Sequence, residues 1–174
     1  MSRISRTAVT TAAAFAAVAF APSPASAWTG GAFSASVTSP VNIQMGIQPP
    51  VTCPSSSLSG TITASGALSI TTATFSGCTL SNGAPVPITA QGLPWSGSLN
   101  STAALAGVKL SITFPTTSGP LPCSYTSNLS GTAGGSTPPI PVPVSGTLGK
   151  TGGSFLCPTS LPITATYLFT GPGL

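Results

Sequence analysis

Apolar side chains recur at every second position over long stretches of this chain. Val108, Leu110, Ile112 and Phe114 alternate with Lys109, Ser111 and Thr113. Ile163, Ala165, Tyr167 and Phe169 alternate with Thr164, Thr166 and Leu168. Val41, Ile43, Met45 and Ile47 alternate with Asn42, Gln44 and Gly46, and Phe33, Ala35 and Val37 make a shorter series. Side chains of an extended strand point alternately to its two faces, so each stretch offers one face to a core and one mostly polar face to solvent. No window carries the 3.6-residue period of a confident amphipathic helix. Gly and Pro punctuate the stretches at the intervals of antiparallel meanders. The pattern predicts an all-β fold: an antiparallel β-sandwich or open barrel, Ig-like in general architecture.

The ionisable inventory narrows function as sharply. The 174 residues contain four Lys+Arg and no Asp, Glu or His. Proton transfer near neutral pH normally falls to His, Asp or Glu. Hard cations need carboxylates, and most catalytic zinc sites need His or carboxylate ligands. A Ser-His-Asp relay cannot be assembled. No catalytic, cofactor-binding or metal-binding residue is therefore assigned, and the protein is expected not to be an enzyme. A Ser–Lys dyad requires a desolvated lysine. Lys109 instead falls on the polar side of its stretch, and Lys150 lies in the turn-like Gly149-Lys150-Thr151-Gly152-Gly153. The run Gly146–Thr151 ends like a phosphate-binding loop, but Val144 stands where that motif needs its first glycine.

The first residues read as an address. Arg3 and Arg6 precede an apolar run from Ala8 to Ala21, and Pro22 and Pro24 lead into Ala25-Ser26-Ala27. A basic start, a short apolar centre and an A-x-A end describe a secretory signal peptide over 1–27, cut between Ala27 and Trp28. Residues 28–174 are then a single β domain, secreted to the extracellular space or the cell surface. That domain keeps Lys109 and Lys150 as its only charged side chains. The sequence pI of 9.2 thus reports missing acids, not a basic patch. Two isolated lysines cannot neutralise a run of phosphates, so no nucleic-acid partner is expected. Mean hydropathy is +0.46, yet no apolar run after Ala27 is long enough for a transmembrane helix.

Four cysteines remain in the exported part: Cys53, Cys78, Cys123 and Cys157. An even number in a small exported domain predicts two disulfides. They lack the close C-x2-4-C pairs of a thiolate zinc site. Three pairings are possible, and a weak internal repeat favours one. Cys53 is followed by Leu58-Ser59-Gly60-Thr61, Phe75, Cys78 and Pro87-Ile88-Thr89-Ala90. Cys123 is followed by Leu129-Ser130-Gly131-Thr132, Phe155, Cys157 and Pro162-Ile163-Thr164-Ala165. Two similar units near 53–90 and 123–165 make Cys53–Cys78 and Cys123–Cys157 the symmetric choice.

Three smaller features carry expectations. Pro139, Pro141 and Pro143 alternate with Ile140, Val142 and Val144. As a strand, one edge lacks donors while the other still pairs, which predicts a protected edge strand. Pro85 and Pro87 around Val86 suggest the same on a smaller scale. Trp95, in Gly92-Leu93-Pro94-Trp95, is expected to plug one end of the fold. Asn100-Ser101-Thr102 and Asn128-Leu129-Ser130 match the N-glycosylation pattern.

Cys53, the Leu58–Thr61 run, Ala73-Thr74-Phe75-Ser76-Gly77-Cys78, Gly92-Leu93-Pro94-Trp95, Gly107-Val108 and Cys123 stand in an order that resembles a family of small exported bacterial proteins. These are the PraB-type, or "alkane oxidation activator", proteins, and the resemblance covers about residues 28–170. It implies an exported, disulfide-bonded β-protein linked to biofilm, surface hydrophobicity or growth on water-insoluble carbon, with members that build fibrous surface material. It brings no catalytic residues. The expected function is a non-enzymatic cell-surface or extracellular-matrix protein that acts by adhesion, self-association or contact with hydrophobic surfaces. Its partners would be further copies of itself or components of the cell envelope. The alternative is a soluble binding module that holds a lipid or hydrocarbon in an internal pocket lined by residues such as Val108, Ile112, Tyr167 and Phe169.

Overall fold

The computed structural model describes residues 28–46 and 48–174. The expected signal peptide with Ala27, and Ile47 of the alternating stretch, lie outside the described residues. The chain runs as two successive meanders. In the first, β1 (Gly31–Met45) turns back into β2 (Gln48–Cys53), which continues past Pro54 as β3 (Ser55–Ile62). There β4 (Ala67–Ser76) reverses direction and leads into the short β5 (Thr79–Leu80), and β6 (Ile88–Gln91) and β7 (Trp95–Leu99) follow. The second meander is β8 (Thr102–Thr116), β9 (Gly119–Thr132), β10 (Ile140–Gly153) and β11 (Ser160–Thr170).

Hydrogen bonding runs β1–β3–β4–β7–β8–β9–β10–β11 and returns to β1, closing an eight-stranded antiparallel barrel. The expected all-β antiparallel fold is observed; of its two forms the chain takes the barrel, closed rather than open, and the Ig-like sandwich is corrected. The first and last long strands pair from Ser34↔Thr170 to Ile43↔Ile163, so one sheet meets itself and no second sheet faces it. A twisted sheet of this many strands coils until its edges meet, and closure removes the edges that a sandwich must protect. The three remaining strands extend this ladder. β2 lies beside the second half of β1, and β5 beside β2. β6 lies beside the second half of β8.

The alternation seen in sequence is the inward–outward alternation of the barrel. Phe33, Ala35, Val41, Ile43 and Met45 of β1 are buried, as are Leu161, Ile163, Ala165, Tyr167 and Phe169 of β11. In β8, Ala103 and Leu105 point in before a bulge, and Val108, Leu110, Ile112 and Phe114 point in after it. An eight-stranded barrel is just wide enough for side chains to fill it. The interior voids measure about 20 and 10 Å³, room for about one water each and far below the ~300–1,000 Å³ of small-molecule sites. The expected internal ligand pocket is thereby corrected: Val108 and Tyr167 line a packed core.

The two Leu-Ser-Gly-Thr segments occupy like places. Leu58 and Leu129 point inward from β3 and β9. A Cβ on Gly60 would stand 1.9 Å from the Ser69 carbonyl oxygen, and one on Gly131 would stand 2.1 Å from that of Pro143. In both, only glycine lets the neighbouring strand approach.

The proline-rich strand is β10, and it is not an edge. Ile140 to Gly149 pair with β11, while pairing with β9 begins only at Val144↔Gly131. The carbonyl of Pro141 accepts from Gly134 N on the β9 side. The missing proline donors thus face a loop beyond the end of β9, where no ladder needs them. Pro85 and Pro87 flank a plug. β4 pairs with β7 only over Ala67–Ile70. Farther on, Val86 N donates to Cys78 O and Thr113 N to Pro87 O, with the Val86 side chain buried in the gap.

The ends of the barrel differ. The near end holds both described chain termini. Trp28 is buried there, and its indole Nε1 donates to Leu99 O at 2.7 Å. Trp28, not Trp95, closes an end; Trp95 lines the interior, with Nε1 donating to Gln91 O. The far end carries the β1–β2, β5–β6, β8–β9 and β10–β11 connections. Both disulfides, Cys53–Cys78 and Cys123–Cys157, lie toward it.

Candidate hydrophobic-contact site

The far end presents the exposed large apolar side chains of the described residues. Phe155 is 89% exposed and Leu156 65% exposed. They lie in the β10–β11 loop, Ser154-Phe155-Leu156-Cys157-Pro158-Thr159. A loop this apolar would ordinarily fold its side chains inward, but its backbone is committed. Cys157 is bonded to Cys123 in β9. Cys157 N donates to Ser154 O at 3.0 Å, Leu156 N to Ser154 Oγ at 3.2 Å, and Lys150 N to Thr159 O at 2.9 Å. The Lys150 ammonium donates to Ser154 O at 3.3 Å. The loop is therefore fixed, and Phe155 and Leu156 stand out from it as a rigid tip.

Beside the tip is a hollow of about 270 Å³ walled by Met45, Phe114, Pro115, Thr116, Leu121, Leu156 and Pro158. With no Asp or Glu in the chain, this end bears no ion pair between side chains. Its nearby cation, Lys150, is turned back onto a loop carbonyl. Lys109 lies away from it, its stem over Gly92 on the outer wall. The larger concavity, about 590 Å³, is an open trough on β7, β8 and β9 walled by small groups such as Ser96, Ala104, Ala106 and Ser130. Asn128 of the second glycosylation pattern borders that trough, and its Oδ1 accepts from Gly107 N at 2.9 Å.

The shifted titratable groups are core tyrosines whose side chains point into the barrel. Ser56 Oγ donates its proton to Thr74 O at 2.8 Å, so Tyr167 donates to Ser56 Oγ at 2.7 Å. Burial pushes the Tyr167 phenol up. The Tyr125 hydroxyl is buried with no hydrogen-bond partner among the described residues, and burial pushes its pKa up to about 12.

The structure places the sequence-derived residues as follows. Cys53 and Cys78 join β2 to the start of β5, and Cys123 and Cys157 join β9 to the tip loop. Trp28 is the first described residue, sealed into the near end. Phe155 and Leu156 were not singled out as a site. Their signal was local: two adjacent large apolar residues between Gly152-Gly153-Ser154 and Cys157-Pro158 cannot both face a core in an extended chain.

A family model described as "Alkane oxidation protein activator PraA/PraB-like" matches residues 1–167. No curated protein and no solved structure matches the chain. That match over nearly the whole sequence shows that the chain belongs to the PraA/PraB-like family of alkane oxidation protein activators.

Proposed function

We propose that this protein is exported, with cleavage between Ala27 and Trp28, and acts without catalysis at the cell surface or in the extracellular matrix by touching water-insoluble apolar material. The observation that carries this reading is the rigid Phe155–Leu156 tip, exposed at the end of the barrel opposite the described termini. The family description adds a link to alkane use through activation. A protein that brings cells or secreted matrix to hydrocarbon fits that description with no chemistry of its own. The near-absence of charge around the tip, where Lys150 is the nearby cation, suits an uncharged surface, because little ion desolvation opposes contact.

Burying a large apolar side chain is worth about 2 kcal/mol, so the two tip residues together govern adsorption. Protein released by producing cells is expected to begin at Trp28 by intact mass and to adsorb to hexadecane droplets. Phe155→Ser with Leu156→Ser is expected to weaken adsorption roughly a hundredfold or more, with the barrel unchanged by circular dichroism. Equal adsorption by wild type and the double variant removes the tip as the contact site.

A further inference from the structure

The turn from β5 to β6 carries Asn82-Gly83. The other asparagines, Asn42, Asn100 and Asn128, precede Ile43, Ser101 and Leu129 instead of a glycine. Ser81, Asn82 and Gly83 are all exposed. Leu80 N donates to Ala84 O and Gly83 N to Leu80 O, each at 2.9 Å. Asn82 Oδ1 accepts from Ala84 N at 3.1 Å. An asparagine bonded to the amide two residues on makes a turn of its own side chain. It holds the amide carbon, Cγ, over the Gly83 backbone. It also rests Oδ1 on an N–H, the kind of donor that a developing oxyanion needs. Gly83 has φ +83°, and none of the described residues comes within 4 Å of where its Cβ would stand. No side chain therefore crowds its nitrogen.

We propose that Asn82 is a self-modification site, where the chain turns its own amide into its first acidic side chain. The Gly83 N–H leaves Leu80 O in a brief opening of the exposed turn and gives its proton to hydroxide. The nitrogen's electron pair then forms a bond to Asn82 Cγ, and the carbonyl pair moves onto Oδ1, where Ala84 N–H holds it. The pair returns, the Cγ–Nδ2 bond breaks, and the nitrogen leaves as ammonia with a proton from water. Water then opens the five-membered imide. Opening at Cγ gives aspartate; opening at the backbone carbonyl gives isoaspartate, with Cβ now in the main chain. Nothing is oxidised or reduced. Aspartate keeps an oxygen for Ala84 N. Isoaspartate lengthens the turn by one atom, which strains the two backbone bonds that close it. It thereby loosens Leu80 from Val51 of β2, while the Cys53–Cys78 disulfide holds the start of β5 in place.

Purified protein held at mildly alkaline pH is expected to shift to a lower isoelectric point. Peptide mass mapping, with digestion at mildly acidic pH, is expected to find the amide lost at Asn82, as aspartate and isoaspartate, while Asn42, Asn100 and Asn128 keep theirs. Asn82→Gln would have to close a larger ring, and it is expected to keep its isoelectric point over the same time. A synthetic peptide of Leu80–Ala84, aged alongside, serves as the clock. Amide loss first at another asparagine overturns the proposal. So does ageing of Asn82→Gln at the wild-type rate, or an intact Asn82 once the peptide has converted.

Discussion

Tyr125 buries a hydroxyl that nothing among the described residues bonds. Tyr167 buries one that Ser56 accepts at 2.7 Å. The two phenols lie in one core, so their difference isolates the hydrogen bond. Removing an unsatisfied buried hydroxyl spares its desolvation cost, whereas removing a bonded one forfeits the bond, each worth about 1 kcal/mol. Tyr125→Phe is therefore expected to raise unfolding stability by about 1 kcal/mol, and Tyr167→Phe to lower it by about the same amount, read from urea midpoints. A Tyr125→Phe variant less stable than wild type would refute the account of that hydroxyl. Both tyrosines were readable from sequence as inward or outward by alternation alone, and Tyr167 was so placed. Their partners were not readable, because Ser56 and Tyr167 are brought together only by the closing of the barrel.

Among the strands, legibility followed length. β1, β8 and β11 announce themselves, since each carries a run of alternation long enough to separate from chance. The joints between β2 and β3 and between β6 and β7 do not. Pro54 and the Gly92-Leu93-Pro94 segment interrupt what are two broken strands, each lying along one long neighbour. Proline alternation in β10 was legible as one donor-poor side, but the neighbour on that side was not. The tip loop was missed because its exposure is imposed by Cys157 and the Ser154 hydrogen bonds, not by any periodicity. That restraint can be measured. Replacing Cys123 and Cys157 by alanine removes a cross-link spanning 34 residues, which on the chain-entropy relation costs roughly 3–4 kcal/mol. The pair variant is expected to unfold at correspondingly lower urea. Its amides from Ser154 to Thr159 are expected to exchange with solvent far faster than those of the β1–β11 ladder. Unchanged exchange in the loop would mean that its hydrogen bonds alone hold the tip.

Taken whole, the molecule is a closed, nearly uncharged barrel with its described termini at one end and its apolar tip at the other. Closure was beyond local pattern: the β1–β11 ladder joins residues from opposite ends of the chain, and no spacing within either strand records it. The missing acids and histidines, by contrast, were plain in the composition and fix how the fold answers to pH. Stability depends on pH only through groups that bind protons differently in the folded and unfolded chains. In residues 28–174 no side chain titrates between strong acid and the tyrosine and lysine range, since all four cysteines are in disulfides. The melting temperature is thus expected to be nearly flat from about pH 3 to 8. The alkaline side has a definite sign. Burial raises the folded pKa of Tyr167 and takes that of Tyr125 from 10.0 to about 12. The unfolded chain therefore gives up these protons first. Their contribution is complete below pH 10 and is lost as pH rises from 10 toward about 12. Calorimetric scans at fixed ionic strength distinguish this from the common acid-sensitive profile. A midpoint that falls by many degrees between pH 8 and 3 would require an acidic or imidazole group that this sequence does not contain. An alkaline limb that vanishes in the Tyr125→Phe, Tyr167→Phe double variant would assign the loss to these two phenols.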